Sequence, residues 1–284
     1  GFDTEFKTPN FHITRDHIVT GAAKFRVLSY QFHAKTQDGK EWQGICCTDS
    51  NERMSISDFL VFVIGKGARD HGITKLPLTI FLVCHFTRAD IPAFSDFKDQ
   101  SQYLSSVRGT FLNINQCLKY QFECNGELVA KLRVVIRDTM LLTPQAKKSL
   151  QGIGELVGLP KLQLDPDLKK HKEMIGKMDE VRVTHWDIYK NYALRDATIC
   201  VLYIERIIKV YEAVTGKKKV PVTLTSIGID LLFKSWQDDL QINSLDILGQ
   251  EIVKQRYFSK KKNYYIEKNE KVYSTNAMYP AQMY

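Results

Sequence analysis

One short stretch, Leu78-Thr-Ile-Phe-Leu-Val-Cys84, constrains the fold more than any other part of the chain. It is wholly apolar, and a short apolar run of this kind suits a strand buried on both faces, the strand of an open α/β sheet. It hands the chain directly to His85-Phe-Thr-Arg-Ala-Asp90. Polar residues that emerge at the carboxyl end of such a strand commonly form the ligand site of the sheet.

Around that strand the pattern alternates strands with helices. Residues 24–36 and 41–48 are rich in β-branched and aromatic side chains and flank Gln37-Asp-Gly-Lys40, so they predict a hairpin. Ser55–Arg69 carries Ile56, Phe59, Leu60, Val63 and Ile64 at helical spacing, with Ser55 or Ser57 as N-cap and Gly72 beyond its end. A second hairpin is predicted from 111–124 and 127–139 around Asn125-Gly126, then a helix over 145–157 stopped by Gly158 and Pro160. The longest helical pattern runs from Trp186 to Val214, with Thr184 as cap and Gly216 as terminator. A shorter helix around 226–236 and a basic, tyrosine-rich tail complete the chain. The reading divides it into a core over 1–216 and a helical, basic extension over 217–284 that leads toward a further domain. The short lead-in before Asp3 likewise predicts sequence upstream.

Composition narrows the function classes. At 284 residues, 44% apolar and 25% charged, the chain can bury a full core, and it does not read as disordered or fibrous. No apolar stretch approaches the roughly 18 residues of a membrane span. Six cysteines, at 46, 47, 84, 117, 124 and 200, lack C-x-x-C spacing, so the expectation is reduced core thiols in an intracellular protein, its compartment unassigned. The net charge of +8 gathers partly in Lys169–Lys172, Lys217–Lys219 and Lys260–Lys262, runs that can neutralise phosphates or serve simply as solvated faces.

Three acidic clusters follow in order: Asp3-Thr-Glu5, Asp90, and Tyr192-Ala-Leu-Arg-Asp196. Each has a plainer reading alone. Asp-x-Glu arises by chance, Asp90 can cap a helix before Ile91-Pro92, and an i,i+4 Tyr–Asp pair can decorate a surface. Together they are specific. On a strand Asp3 and Glu5 share a face, and on a helix Tyr192 and Asp196 share one. Four converging carboxylates can hold two divalent metals, the arrangement that serves phosphodiester displacement. Oxygen-only ligands favour Mg2+ or Mn2+ over zinc.

These three clusters resemble the three motifs of the DEDD superfamily of 3′–5′ exonucleases, in the tyrosine-containing (DEDDy) subclass found as the proofreading domain of family B DNA polymerases. The nearest subgroup is the protein-primed polymerases of linear plasmids, mobile elements and phages. Arg137-Asp-Thr-Met-Leu-Leu-Thr-Pro with Lys148-Ser-Leu150 and Gly154-Glu-Leu-Val-Gly158 is similar to the stretch between their second and third motifs. His171-Lys172-Glu-Met-Ile175 is similar to their lysine-x-x-hydrophobic motif, and Val222–Ile229 with Phe233 to the helix after the third. The likeness covers roughly residues 1–240.

The resemblance implies an α/β fold with a ribonuclease H-like mixed sheet, flanked by helices and carrying an inserted β-hairpin. It implies a metal-dependent 3′–5′ exonuclease in which Asp3, Glu5, Asp90 and Asp196 hold two Mg2+ or Mn2+, Tyr192 orients the attacking water and Lys172 steadies the phosphate. The partner would be a single-stranded or frayed DNA 3′ end, RNA being possible, alongside a polymerase domain in the same full-length protein and no membrane. In many relatives an asparagine precedes the second-motif aspartate. Here His85, Phe86 and Thr87 occupy that region as candidate substrate contacts, with Phe86, Phe6 and Phe94 as stacking platforms. The alternatives are a stand-alone DEDD exonuclease acting on RNA or DNA ends in repair or defence, and a catalytically silent nucleic-acid-binding module.

Overall fold

The structure is a computed structural model that describes residues 1–7, 26–48, 52–124, 127–259 and 263–273. The Asn125-Gly126 turn, the basic run at 260–262 and the last residues of the tail lie outside the described residues. Strand β1 (Phe2–Lys7) pairs antiparallel with β2 (Arg26–Lys35), which pairs antiparallel with β3 (Glu41–Cys47). Helix α1 (Ile56–His71) follows and packs against β2 and β3. Ser55 starts it through a reciprocal capping box with Asp58, and Gly72 ends it in the left-handed region at φ 60°, which suits a residue without Cβ.

Strand β4 (Thr79–Cys84) is the apolar run. It leads into the single-turn helix α2 (Thr87–Asp90), a 3-10 turn over Ile91–Ala93, and α3 (Phe97–Gln100). A miniature hairpin, β5 (Ser105–Val107) and β6 (Thr110–Leu112), precedes β7 (Leu118–Cys124) and β8 (Glu127–Asp138). Strand β8 runs parallel to β4 on one side and antiparallel to β7 on the other. The sheets are therefore ordered β1-β2-β3 and β4-β8-β7, with β1 lying beside β4. Phe2, Tyr30, Phe32, Phe59, Phe94, Leu82, Val134 and Ile136 form one buried core under both, each large side chain contributing about 1.5–3 kcal/mol by leaving water. The architecture is mixed α/β.

Helices α4 (Leu150–Leu156), α5 (Leu168–Gly176) and α6 (Met178–Thr184) lead to α7 (Trp186–Thr215). Contacts divide the chain into two units, Gly1–Glu212 with Lys218–Leu224, and Ala213–Lys217 with Thr225–Tyr284. The second unit holds most of α8 (Leu224–Leu240), the short α9 (Ser244–Ile247), and an antiparallel hairpin of β9 (Gln250–Ser259) and β10 (Tyr264–Tyr273). No helix among the described residues is long and apolar enough to cross a membrane.

Three local expectations are corrected. The single strand predicted over 111–124 is split in two, Phe111 and Leu112 ending β6 and β7 starting at Leu118. Asn113 interrupts it, its side-chain oxygen accepting from Ile136 N at 2.8 Å and its amide donating to Tyr103 O at 2.9 Å. The helix predicted over 145–157 shortens because Ser149 caps a fresh start, its Oγ accepting from Gly152 N at 3.0 Å, while Gln145–Lys147 forms a separate 3-10 turn. Thr184 does not cap α7. It ends α6, and its hydroxyl donates back to Glu180 O at 2.8 Å, a bond made within a helix.

Candidate functional site

Alternation along β1 sends Phe2 and Thr4 into the interior and leaves Asp3 and Glu5 half-buried on the opposite face. Helix α7 brings buried Asp196 to them. Asp3, Glu5 and Asp196 each offer a carboxylate oxygen, and these oxygens all lie within 4.8 Å of one another. Asp90 reaches β1 from α2. Its Oδ1 accepts from Thr4 N at 3.1 Å and Thr4 Oγ1 at 2.6 Å, and it makes no capping bond to the turn that follows. The helix-cap reading of Asp90 therefore does not hold.

A hydrogen-bonded chain fixes the cluster from the sheet side. Gln31, paired with Asp3 across the β1–β2 ladder, donates from Nε2 to Asp3 Oδ2 at 2.6 Å. Ser29 Oγ donates to Gln31 Oε1 at 3.0 Å and lies 2.6 Å from the hydroxyl of Tyr189 on α7. Strand and helix thus reach the same carboxylate through buried polar groups, whose orientation is set by their partners.

Packing carboxylates this closely perturbs them. Burial raises Asp3 well above the ordinary carboxylate range, and Asp90, Asp196 and Glu5 push it further. Burial and Asp196 raise Glu5 to about 8. Burial raises Asp90 to about 7 against the opposing hydrogen bonds from Thr4, and burial also raises Asp196. Lys161 answers part of this charge. Its Nζ lies 2.6 Å from Asp196 Oδ2 and 5.1 Å from the centre of the Tyr192 ring. Burial works against the Lys161 ammonium, yet Asp196 and its neighbours outweigh burial and hold it above the ordinary lysine range. The other oxygen, Asp196 Oδ1, is buried with no hydrogen-bond partner. An orphaned buried carboxylate oxygen beside two more carboxylates is a ready ligand atom, and three oxygen donors suit magnesium or manganese.

Tyr192 stands one turn before Asp196, 7% exposed, its hydroxyl pushed up to about 12 by burial with Lys161 opposing. His171 of α5 packs beside it, ring centres 6.4 Å apart. Lys172 is exposed on α5 and lines an open cavity with Lys7, Lys170, Lys177, Asp179 and His185. The lysine brought to the carboxylates is Lys161, which the sequence reading passed over. Lys161-Leu-Gln-Leu164 has the same lysine-x-x-hydrophobic spacing as Lys172-Glu-Met-Ile175 and could have been found by it.

The segment after β4 carries the remaining candidates. His85 Nδ1 lies 2.9 Å from Thr139 Oγ1, and burial lowers its pKa. Phe86 is 39% exposed. Thr87 is fully buried, its hydroxyl donating to Asp138 Oδ2 at 3.0 Å and accepting from Phe111 N at 2.6 Å. Phe94 is not a platform. It is 1% exposed, ringed by Phe2, Tyr30 and Phe59, because an aromatic just beyond the 3-10 turn fills the core. Phe6 packs half-buried against that same core.

The chain is similar to a primer-independent DNA polymerase PolB of Escherichia coli, 28% identical over 232 residues that cover 75% of this chain and 26% of that protein. It spans about a quarter of that relative's length. The likeness supports a distant relationship to a DNA polymerase. No family model and no solved structure matches the chain.

Proposed function

We propose that this chain is a metal-dependent 3′–5′ exonuclease acting on single-stranded or frayed DNA ends, as the proofreading part of a DNA polymerase. One observation carries the reading: the carboxylate oxygens of Asp3, Glu5 and Asp196 converge within 4.8 Å of one another, with Lys161 and Tyr192 against them, while Asp90 is held to the backbone and hydroxyl of Thr4 between Asp3 and Glu5. Three carboxylates pressed together, with a fourth beside the same strand and all four held above the ordinary carboxylate range, work against stability, and such arrangements concentrate at functional sites. The similarity to a DNA polymerase over 75% of the chain points the same way. The order β3-β2-β1 beside β4-β8 supports a ribonuclease H-like sheet.

Asp3, Glu5 and Asp196 would hold one Mg2+ or Mn2+, and Asp3 with Asp90 would serve a second. When bound, the two ions supply Lewis-acid activation and charge neutralisation for in-line hydrolysis of the terminal phosphodiester. The Tyr192 hydroxyl orients the attacking water from a position one helical turn from Asp196. The Lys161 ammonium holds a non-bridging oxygen of the scissile phosphate, and Lys172 on α5 meets the phosphates of the approaching strand. Gln31 keeps Asp3 in its rotamer.

The test is a time course on 5′-labelled duplexes with matched or mismatched 3′ ends. A mismatched end should be removed faster, because unpairing costs a few kcal/mol, of order, and the mismatch has already met it. Equal rates, or cutting that begins internally on a strand blocked by a 3′-phosphate, would overturn the proofreading assignment.

A further inference from the structure

Asp138, at the carboxyl end of β8 beside Cys84 of β4, is fully buried. Its carboxylate accepts four hydrogen bonds. Oδ1 takes Phe86 N at 3.0 Å and Met140 N at 2.8 Å, and Oδ2 takes Thr87 N at 2.7 Å and Thr87 Oγ1 at 3.0 Å. Only an acceptor-only group of this size satisfies all four, since an asparagine would turn its NH2 toward two donors. What these bonds hold is a strained turn. Phe86 sits in the left-handed region at φ 67° and ψ 63°, where a bulky side chain is an outlier. Strain of that kind persists only where the surroundings enforce it, and it collects at ligand-contacting sites.

The turn has two products. It leaves Phe86 39% exposed just beyond the carboxyl end of β4, and it starts the helical turn that carries Asp90 to Thr4. We propose that Asp138 is a positioning residue: it locks Phe86 in its left-handed conformation so that the ring stacks under the terminal base of the 3′ end. This rests on the exonuclease reading for its substrate, and it makes the base, beyond the phosphate, something the protein feels. An aromatic face accepts every base, so the platform recognises the presence of a terminal base without selecting its identity.

The experiment compares single-strand oligonucleotides ending in a normal 3′ nucleotide with ones ending in a 3′ abasic residue, in single-turnover cleavage with manganese. Wild type should half-saturate with the normal end at a concentration on the order of tenfold lower than with the abasic end, the effect of one base–aromatic stack. Phe86→Leu should abolish that ratio. Asp138→Asn should abolish it too, and should add nothing to the ratio in the Phe86→Leu background. Asp138→Ser, which leaves room for a water on the same donors, should behave like Asp138→Asn. A purely structural aspartate would slow both substrates alike and keep the ratio, which would overturn the proposal. So would a wild-type ratio near one, or a failure of both Asp138 variants to fold. If wild type binds both oligonucleotides but cleaves neither, the exonuclease reading fails separately. The same ratio, read by fluorescence anisotropy, then decides the Asp138 proposal in the same way.

Discussion

Lys161 Nζ sits 2.6 Å from Asp196 Oδ2, within a group of carboxylates that outnumber it. That contact makes Lys161 a counter-charge of the site among the described residues and sets it where a phosphate delivered to the carboxylates would meet it. Lys161→Met should lower single-turnover cleavage about 10²–10³-fold, the loss typical of removing one group aimed at developing charge. Manganese binding by calorimetry should survive, because the carboxylates that hold the ion remain. Cleavage unchanged in Lys161→Met would remove the lysine from the chemistry and return the phosphate role to Lys172.

The raised carboxylates give a pH signature. Unfolded aspartate and glutamate titrate near 4, while Glu5 is raised to about 8, Asp90 to about 7, and Asp3 and Asp196 upward. Between these limits the folded state binds more protons than the unfolded state. Stability without metal therefore falls as pH rises through that window. Melting in chelator should be lower at pH 8 than at pH 5.5. Manganese should raise the melting temperature more at pH 8, because at pH 5.5 protons compete for the same oxygens. A melting temperature flat across this range in chelator would contradict the carboxylate packing described here.

Tyr192 and Asp196, one turn apart on α7, should separate cleanly. Tyr192→Phe keeps the ring against Lys161 and His171 and removes only the hydroxyl, so manganese affinity should hold while turnover falls about 10²–10⁴-fold. Asp196→Asn should weaken manganese binding itself and, by relieving repulsion with Asp3 and Glu5, leave the metal-free protein no less stable at pH 8. Calorimetry and single-turnover rates on the same preparations check both. A Tyr192→Phe protein with normal turnover would leave that hydroxyl without a chemical role.

Much of this was legible in the sequence where one physical rule decides the outcome. The period-two pattern of β1 put Asp3 and Glu5 on one face, and Ser55 with Gly72 marked both ends of α1. The apolar run announced a strand, but only its carboxyl half, Leu82 to Cys84, is buried, while Leu78 and Phe81 stay exposed. What stayed hidden depends on partners distant in the chain. Gln31 and Ser29 read as ordinary strand polars until β2 pairs with β1 and Tyr189 closes over them. Asp138 is one aspartate among many until β8 lies beside β4 and its four donors arrive from two loops. Lys161 carried a local signal, but Lys172 carried the same spacing, and only the packing of Lys161 against Asp196 and Tyr192 separates them. Asn113 broke a strand because a side chain can satisfy a neighbouring strand's backbone, which no propensity registers.

The central claim is that Asp3, Glu5, Asp90 and Asp196 hold metal for cleavage at a 3′ end. Its most direct test follows a 5′-labelled single strand with wild type and with Asp3→Ala, each in manganese and in chelator, with melting curves run alongside. Wild type should shorten the strand one nucleotide at a time from the 3′ end in manganese and not at all in chelator. Asp3→Ala should stay folded and leave the strand intact in both. Shortening by wild type in thorough chelator, or normal shortening by a folded Asp3→Ala protein, would contradict the account.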